Sequence, residues 1–394
     1  MDESVSDSRE VDVLVAGGGP AGVAAGLAAA RMGARTLIVE QFNCLGGVAT
    51  AGGHGHICLY SAWDSDERVV GGIPFEMARR VAAAGYGVHN NSYADFEVEG
   101  MKFVLDRMAE EAEAGLLYHS FAADAVVEDG AVRGVVVQNK DGRSVVRAKR
   151  VIDCTGDGDV AARAGCAFEQ GETGTGLCQP ATLMFTIGGV NLHAFSDFRR
   201  IEGYKMEGVW KRAQAAGDMR PFQSRVMGWW YTPTRPDQLG VNFTHVTGVD
   251  ATRAVDLTRA TIEARKQVEE TIAVFRKYVG GLENCHLVST PATIGLRESR
   301  RISGAYTLTR GDVLAMREFP DSVGYGSFFI DIHNCSGPGM DRKTERPPAG
   351  LRYQIPYRIL LPQQVDNLLV AGRCASGASS ARSNGSCMAM GAAA

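Results

Sequence analysis

Residues 11–41 read VDVLVAGGGPAGVAAGLAAARMGARTLIVEQ, and no other stretch limits the fold as strongly. Val11, Val13 and Val15 begin a short apolar strand, and Gly17, Gly19 and Gly22 follow in G-x-G-x-x-G spacing. An Ala-rich helix then runs to about Gly33, and Thr36–Val39 form a second apolar run ending in Glu40. Strand, glycine turn, small-residue helix, strand and terminal acid in this order predict a dinucleotide-binding βαβ unit. Gly17 permits the tight turn, Gly19 lets backbone approach a pyrophosphate, and Gly22 lets the helix pack close to the strand. The helix start, Pro20 and Ala21, offers N–H groups and the positive end of the helix dipole to phosphates. Glu40, with Gln41 beside it, stands where hydrogen bonds from both ribose hydroxyls are accepted. An acid there argues against a 2′-phosphate and favours the adenosine of FAD or NAD.

Composition excludes several classes. The 394 residues include 48 glycines, about 12% against a usual ~7%. The net charge is −4, of which Asp2, Glu3, Asp7 and Glu10 against Arg9 carry −3. A near-neutral body has no electrostatic footprint for nucleic acid or an anionic membrane. MDESVSDSRE lacks a secretory signal's basic and apolar regions, and AGVAAGLAAA, the nearest approach to a membrane span, is closed by Arg31. Nine cysteines with no CxxC pair fit neither a zinc site nor a disulfide framework. These features lead to the expectation of a cytoplasmic protein with free thiols.

Further glycines follow strands. Gly46-Gly47 come just after Glu40. Ala131–Val137 and Ser144–Ala148 flank NKDGR, a hairpin signal. The run RVIDCTGDGDVAARAG (150–165) is a strand ending at Thr155-Gly156-Asp157-Gly158-Asp159, and DNLLVAGR (366–373) ends in Gly372-Arg373. This ordered set resembles the FAD-dependent oxidoreductase family, similar in fold to the glutathione-reductase and succinate-dehydrogenase flavoproteins, over nearly the whole chain. QPATLMFTIGGVN (179–191), GLRESRRISGAYTLTRGDVL (295–314), FPDSV (319–323) and IPYRILLPQQVDNLLVAGRC (355–374) resemble that family too. The resemblance implies bound FAD, with Gly46 and Gly47, Thr155–Asp157 and Gly372-Arg373 near the cofactor and Arg373 on a flavin phosphate. It implies an α/β fold: a discontinuous Rossmann-like FAD domain from 1–60, 100–175 and 346–394, an insertion at 61–99, and a substrate domain of mixed β-sheet plus helix at 176–345.

Flavoproteins of this kind differ in what exchanges electrons with the flavin. Disulfide reductases resemble one another in a Cys pair two and seven residues after the glycine doublet; Ala49 and His54 stand there, which excludes a dithiol relay. GETGTG (171–176) precedes Cys178-Gln179-Pro180 and reads as a loop, not as part of a nicotinamide-binding unit. Aromatic hydroxylases of the group carry Gly-Asp at the C-terminal flavin motif, whereas this chain has Gly372-Arg373. Relatives also place more residues between that strand and the closing Cys-Met-Ala helix, and extend the helix beyond Gly391.

The substrate side has one clear helix, with Leu257, Thr261, Ala264, Val268, Ile272, Phe275 and Val279 on one apolar face. GWWYTPT (228–234) and GVNFTHVTG (240–248) read as paired strands around RPDQ, with Trp229, Trp230 and Tyr231 mainly as packing. Hydride removal to a flavin needs a base, and positive charge where electron density grows. Arg297, Arg300 and Arg301, on a predicted helix after an apolar strand over 287–294, are candidates to clamp an anionic substrate or a phosphate. His54 and His56 follow the second glycine motif and are candidates as base, flavin partner or covalent attachment point. Asp331 and His333 share a face of a predicted strand, where the acid orients the imidazole as a general base. The expected function is removal of a hydride by FAD from an alcohol- or amine-bearing carbon of a small molecule, with oxygen or an electron carrier as acceptor and homo-oligomer formation left open. Monooxygenation, reduction of an activated alkene, and a non-catalytic electron-transfer subunit are the alternatives.

Overall fold

A computed structural model describes residues 6–340 and 347–378. The first strand is longer than its apolar alternation, spanning Ser6–Ala16. Its polar half pairs in parallel with 144–148, and backbone pairing needs no apolar side chain. Val13–Ala16 pair on the other side with Thr36–Val39, all four of which are buried. Gly115–Leu117 extends this side, again in parallel. The strand Gly142–Asp153 serves two partners along one edge. Its first half continues the hairpin through Ala131–Asn139 to Phe121–Glu128, and its last three residues pair in parallel with Leu368–Val370. Asp141-Gly142 closes that hairpin with Gly142 at φ +105°, where a side chain would be strained.

The parallel strands therefore end together, at Ala16, Val39, Leu117, Asp153 and Val370. The chain leaves Ala16 toward one neighbouring strand through the helix Pro20–Arg31, while the other neighbour comes from far along the sequence. In open α/β sheets the crevice at such a divergence takes the ligand. The helix lies close on the sheet because Ala21–Leu27 are all buried and small residues dominate. At Gly26 a Cβ would stand 2.3 Å from Ile38 Cδ1.

A second, antiparallel sheet runs in the order Gly228–Thr232, Arg235–Asn242, Phe185–Gly188, His286–Ser289. The helix Ala254–Tyr278 covers it, burying Ala264, Val268, Ile272 and Phe275 of the expected stripe against a core that includes Trp210 and Phe243. Arg235–Gln238 lie inside the second strand rather than in the turn, which is Pro233-Thr234, because Thr232 pairs with Arg235. The strand expected over 287–294 stops at Ser289, before Pro291, which lacks the N–H a ladder needs. Phe328–His333 form no regular strand; the strand before them is Ser322–Gly326, and His333 makes one isolated bridge to Met340. GETGTG is a loop. A small sheet of His56–Cys58, Tyr93–Phe96 and Gly87–His89 lies beyond the second glycine motif. No helix among the described residues is long and apolar enough to cross a membrane. The expected Cys-Met-Ala helix lies outside the described residues.

Candidate active site

The strand ends build a cradle from backbone. Gly17 has φ +96°, and a Cβ on it would meet the Cys154 carbonyl oxygen at 2.5 Å. A Cβ on Gly22 would fall 1.8 Å from the Gly17 carbonyl oxygen, so helix and turn touch through bare backbone. Gly19 is different: nothing lies within 4 Å of its Cβ position, and it begins the helix with no side-chain cap. The helix start is thus both uncapped and open, as an anion site must be. Glu40 is buried at the end of the next strand and accepts from Gly18 N at 2.7 Å and Phe42 N at 2.8 Å. Burial nevertheless pushes its carboxyl up. Gly46 donates to the Gly18 carbonyl at 2.8 Å, and a Cβ on Gly47 would be 2.8 Å from Gly19 Cα, so the two glycine motifs interlock.

Asp153, fully buried, organises the third wall. Its carboxylate accepts from Thr155 N and Oγ1 at 3.0 and 2.7 Å and from Ala161 N at 2.8 Å. Thr155 Oγ1 in turn accepts from Asp159 N. Gly156 turns at φ +83° directly under the Arg373 guanidinium. Arg373 donates to Asp157 at 2.7 Å and to Ser299 Oγ at 2.6 Å, which ties the Gly372 strand end to this turn.

A buried polar cluster lies on the substrate side. Arg297 donates from Nη1 to the Pro180 carbonyl at 2.7 Å and to Thr182 Oγ1 at 2.5 Å. Burial pulls its guanidinium down to about 10, still cationic at neutral pH. His333, 3% exposed, receives its backbone anchor from Gln179 Oε1 at 3.0 Å. The Asp331 carboxylate stands 3.6 Å from His333 Nε2, too long for a full hydrogen bond but close enough to favour the proton on that nitrogen. His333 Nδ1 is buried with no hydrogen-bond partner among the described residues. His245 stacks on this ring at 6.3 Å between centroids and bonds the Gly337 carbonyl through Nε2 at 2.8 Å. Burial lowers His333 and His245 to about 4, and the Arg297 cation adds to it in both. His54, edge-on to Trp230 at 4.9 Å, is lowered to about 3 by burial, His56 and Arg297. Burial alone would raise the Asp331 carboxyl, but His333, Arg297 and Lys205 hold it below the usual range.

An imidazole whose folded pKa lies below its unfolded value stabilises fully above about 6.5 and loses that contribution as pH falls through the folded value. His245 and His333 are each expected to cost on the order of 3 kcal/mol of stability between pH 6.5 and 4. His56 has the opposite sign. Burial disfavours its charge, but the bonds to Asp95 and Cys58 raise it to about 10, so its contribution is intact throughout that window. Denaturant midpoints measured from pH 7 to 4 should fall steeply in the native protein and less steeply in His245→Gln.

The three arginines expected on one helix do not converge. Arg300–Ile302 is a short strand paired with Phe168–Gln170, so alternation separates neighbouring side chains. Arg300 reaches Asp159 at 2.6 Å. Arg301, 3% exposed, is bound by Glu298 at 2.7 Å, the Gly171 carbonyl at 3.0 Å and Glu169 at 3.3 Å. It is internal, whereas the remaining N–H groups of Arg297 have no partner among the described residues. Arg301→Met removes the cation that pairs with the buried Glu298 carboxylate and should cost about 3–5 kcal/mol in chemical denaturation. Of the tryptophans, Trp229 packs on Phe195 and Phe275 in the core, while Trp230 borders His54.

The family model described as FAD dependent oxidoreductase matches residues 12–394. The chain belongs to that family. The oxidoreductase is similar to thiamine thiazole synthase of Methanococcus aeolicus, 30% identical over 185 residues, covering 44% of this chain and 64% of that protein. It is also similar to digeranylgeranylglycerophospholipid reductase 2 of Methanopyrus kandleri, 32% identical over 166 residues, 37% of this chain and 38% of that one. The chain thus spans less than two thirds of either relative's length. Among solved structures, it is similar to a geranylgeranyl bacteriochlorophyll reductase-like protein of Thermoplasma acidophilum, at TM-score 0.45 and 14% identity over 97% of this chain and 75% of that chain.

The strand-end cradle fits FAD on its own geometry. Gly17 and Gly22 have no room for a side chain, Gly19 faces open space at an uncapped helix start, and Glu40 waits at the next strand end. Residues that sequence reasoning missed are Asp153, His245, Thr182 and Asp95. Asp153 had a readable signal, an acid two residues before the Thr-Gly turn. His245 and Thr182 had none, because isolated bridges between remote segments, Ala181 with Val246 and Thr182 with Gly295, bring them toward Arg297.

Proposed function

We propose that this FAD-dependent oxidoreductase removes a hydride from the alcohol- or amine-bearing carbon of a small anionic organic substrate. The observation that carries this reading is the unpartnered Nδ1 of neutral, buried His333, set between Asp331 and the Arg297 cation. FAD, when bound along the strand ends, supplies the hydride acceptor. On this reading Gly17, Gly19, Pro20, Ala21 and Gly22 hold its pyrophosphate, and Glu40 and Gln41 its ribose. Gly46, Gly47, Thr155, Gly156, Asp157, Gly372 and Arg373 line the remainder. Residues 1–60, 100–175 and 346–394 then form the FAD-binding part, with 61–99 inserted and 176–345 covering the substrate.

The chain's own groups divide the remaining work. Arg297 binds the substrate's anionic group through its unpaired N–H groups, a planar fork suited to a carboxylate. His333 Nδ1 takes the hydroxyl or ammonium proton, and Asp331 counters the charge that appears on the ring. Trp230 stands edge-on to His54, whose imidazole feels the Arg297 charge. Oxygen or an external carrier completes the cycle.

Reduction of an activated alkene is the second reading, favoured by the reductase among the curated relatives. The two separate under simple conditions. For substrate oxidation, NAD(P)H alone should leave the flavin coloured, and turnover under oxygen should release peroxide without a hydroxylated product. Rapid bleaching by NAD(P)H would favour the reductive reading instead.

A further inference from the structure

Among the described residues three glutamines are buried, Gln179, Gln223 and Gln267, and two of them are satisfied at both ends of the amide. Gln223 donates from Nε2 to His245 Nδ1 at 3.3 Å and accepts at Oε1 from Ser224 N and Gly339 N. Gln267 accepts from His245 N at 2.7 Å and donates to the His245 carbonyl at 3.2 Å. Gln179 differs. Its Oε1 accepts from His333 N at 3.0 Å, while its Nε2 is buried with no hydrogen-bond partner among the described residues. The His333 N–H fixes the orientation of this amide, because a flipped amide would set one N–H against another.

The place of this donor in the fold is specific. Pro180, next in the chain, holds Arg297 through its carbonyl, and the Gln179 side chain holds His333, so residue 179 joins the cation to the imidazole. His333 carries the complementary atom. Asp331 favours the proton on its Nε2, which leaves the unpartnered Nδ1 as an acceptor. A buried donor and a buried acceptor, on two residues bonded to each other, are matched together by one group that both accepts and donates. A hydroxyl does this: its O–H donates to His333 Nδ1 while a lone pair accepts from Gln179 Nε2. An ammonium has donors only, and the iminium left when an amine is oxidised has no lone pair either. Both leave the Gln179 amide without an acceptor, a cost that falls on the wrong substrate.

We propose that Gln179 is a substrate-binding residue whose amide N–H donates to a hydroxyl oxygen, and that it selects a hydroxycarboxylate over an amino acid. The assignment rests on the hydride-transfer reading and decides between the alcohol and the amine that reading leaves open. The carboxylate sits on Arg297 and the hydroxyl between Gln179 and His333. In the oxidation the C–H pair leaves as hydride to FAD, and the hydroxyl proton passes to His333 Nδ1. The O–H bonding pair becomes the C=O π bond, and Gln179 Nε2 keeps its hydrogen bond to the same oxygen from alcohol to carbonyl.

The test uses hydroxyisobutyrate, aminoisobutyrate and pivalate, together with their homologues that carry one more methylene before the carboxylate. In each the carbon bearing the hydroxyl, amine or extra methyl group has no hydrogen, so none can give up a hydride. Titrated calorimetrically into the oxidised holoenzyme, the hydroxy acid of one series should bind about tenfold or more tighter than its amino and methyl counterparts. Gln179→Glu keeps an acceptor for His333 N but replaces the amide donor, and the preference for hydroxyl over amine should invert. Gln179→Met should bring the hydroxy acid down to the affinity of the methyl analogue. Flavin content should be unchanged in both variants. Equal affinity for hydroxyl and amine in the native protein overturns the proposal, as does no binding in either series at about 50 mM, far above ordinary substrate affinities. Variants that weaken all ligands alike, or lose flavin while keeping the native preference, also overturn it, since a merely structural glutamine gives that result. None of these compounds can bleach the flavin, so failure here is distinct from failure of the hydride-transfer reading.

Discussion

His333→Ala should slow anaerobic bleaching of the flavin by substrate by roughly 10²–10⁴-fold, the usual contribution of a positioned general base. The flavin content should not change, because His333 stands apart from the strand-end cradle in sequence and is anchored through Gln179. The pH dependence has a definite sign. His333 is lowered to about 4, so it is neutral and able to accept a proton above that value. Bleaching in the native protein should therefore be flat from neutral pH down to about 5 and fall as the ring protonates near 4. Stopped-flow rates for the native protein and the variant measure both effects. An unchanged rate in His333→Ala would remove the residue from the mechanism.

The other large effect concerns two glycines three residues apart. Gly22→Ala should abolish flavin binding and destabilise the fold, since its Cβ would lie 1.8 Å from a backbone oxygen that cannot move without lifting the helix from the sheet. Gly19→Ala has no such neighbour within 4 Å. It should fold with native stability yet lose flavin, because the added methyl group points into the space where backbone must approach a pyrophosphate. The ratio of flavin to protein absorbance, read beside thermal denaturation, separates the two. Full flavin content in Gly19→Ala would contradict the assignment of that space to the cofactor.

The contrast between these glycines and the arginines shows what a sequence can reveal. The βαβ unit was legible because its signals are local. Tight turn, small-residue helix and terminal acid lie within thirty-one residues, and each has a steric or electrostatic reason tied to its spacing. The hairpin at Asp141-Gly142 and the helix stripe through Phe275 are legible for the same reason. Arg297, Arg300 and Arg301 were not, because their directions depend on remote partners. Pro180 and Thr182 hold the first, Asp159 the second, and Glu298 with Glu169 the third. The strand pairing with Phe168–Gln170 also replaces the helical spacing that local reasoning supplied. His245 reaches His333 only across the fold, over a sequence gap that no periodicity bridges.

The most direct measurement mixes the oxidised holoenzyme with small hydroxy- and amino-carboxylates under strict anaerobiosis, without NAD(P)H, and follows the visible flavin band. Removal of a hydride from substrate carbon predicts full bleaching by at least one of these compounds, faster than Arg297→Ala or His333→Ala allows. A band that stays unchanged with every such compound, yet bleaches with NAD(P)H or only with a partner protein, would contradict the account.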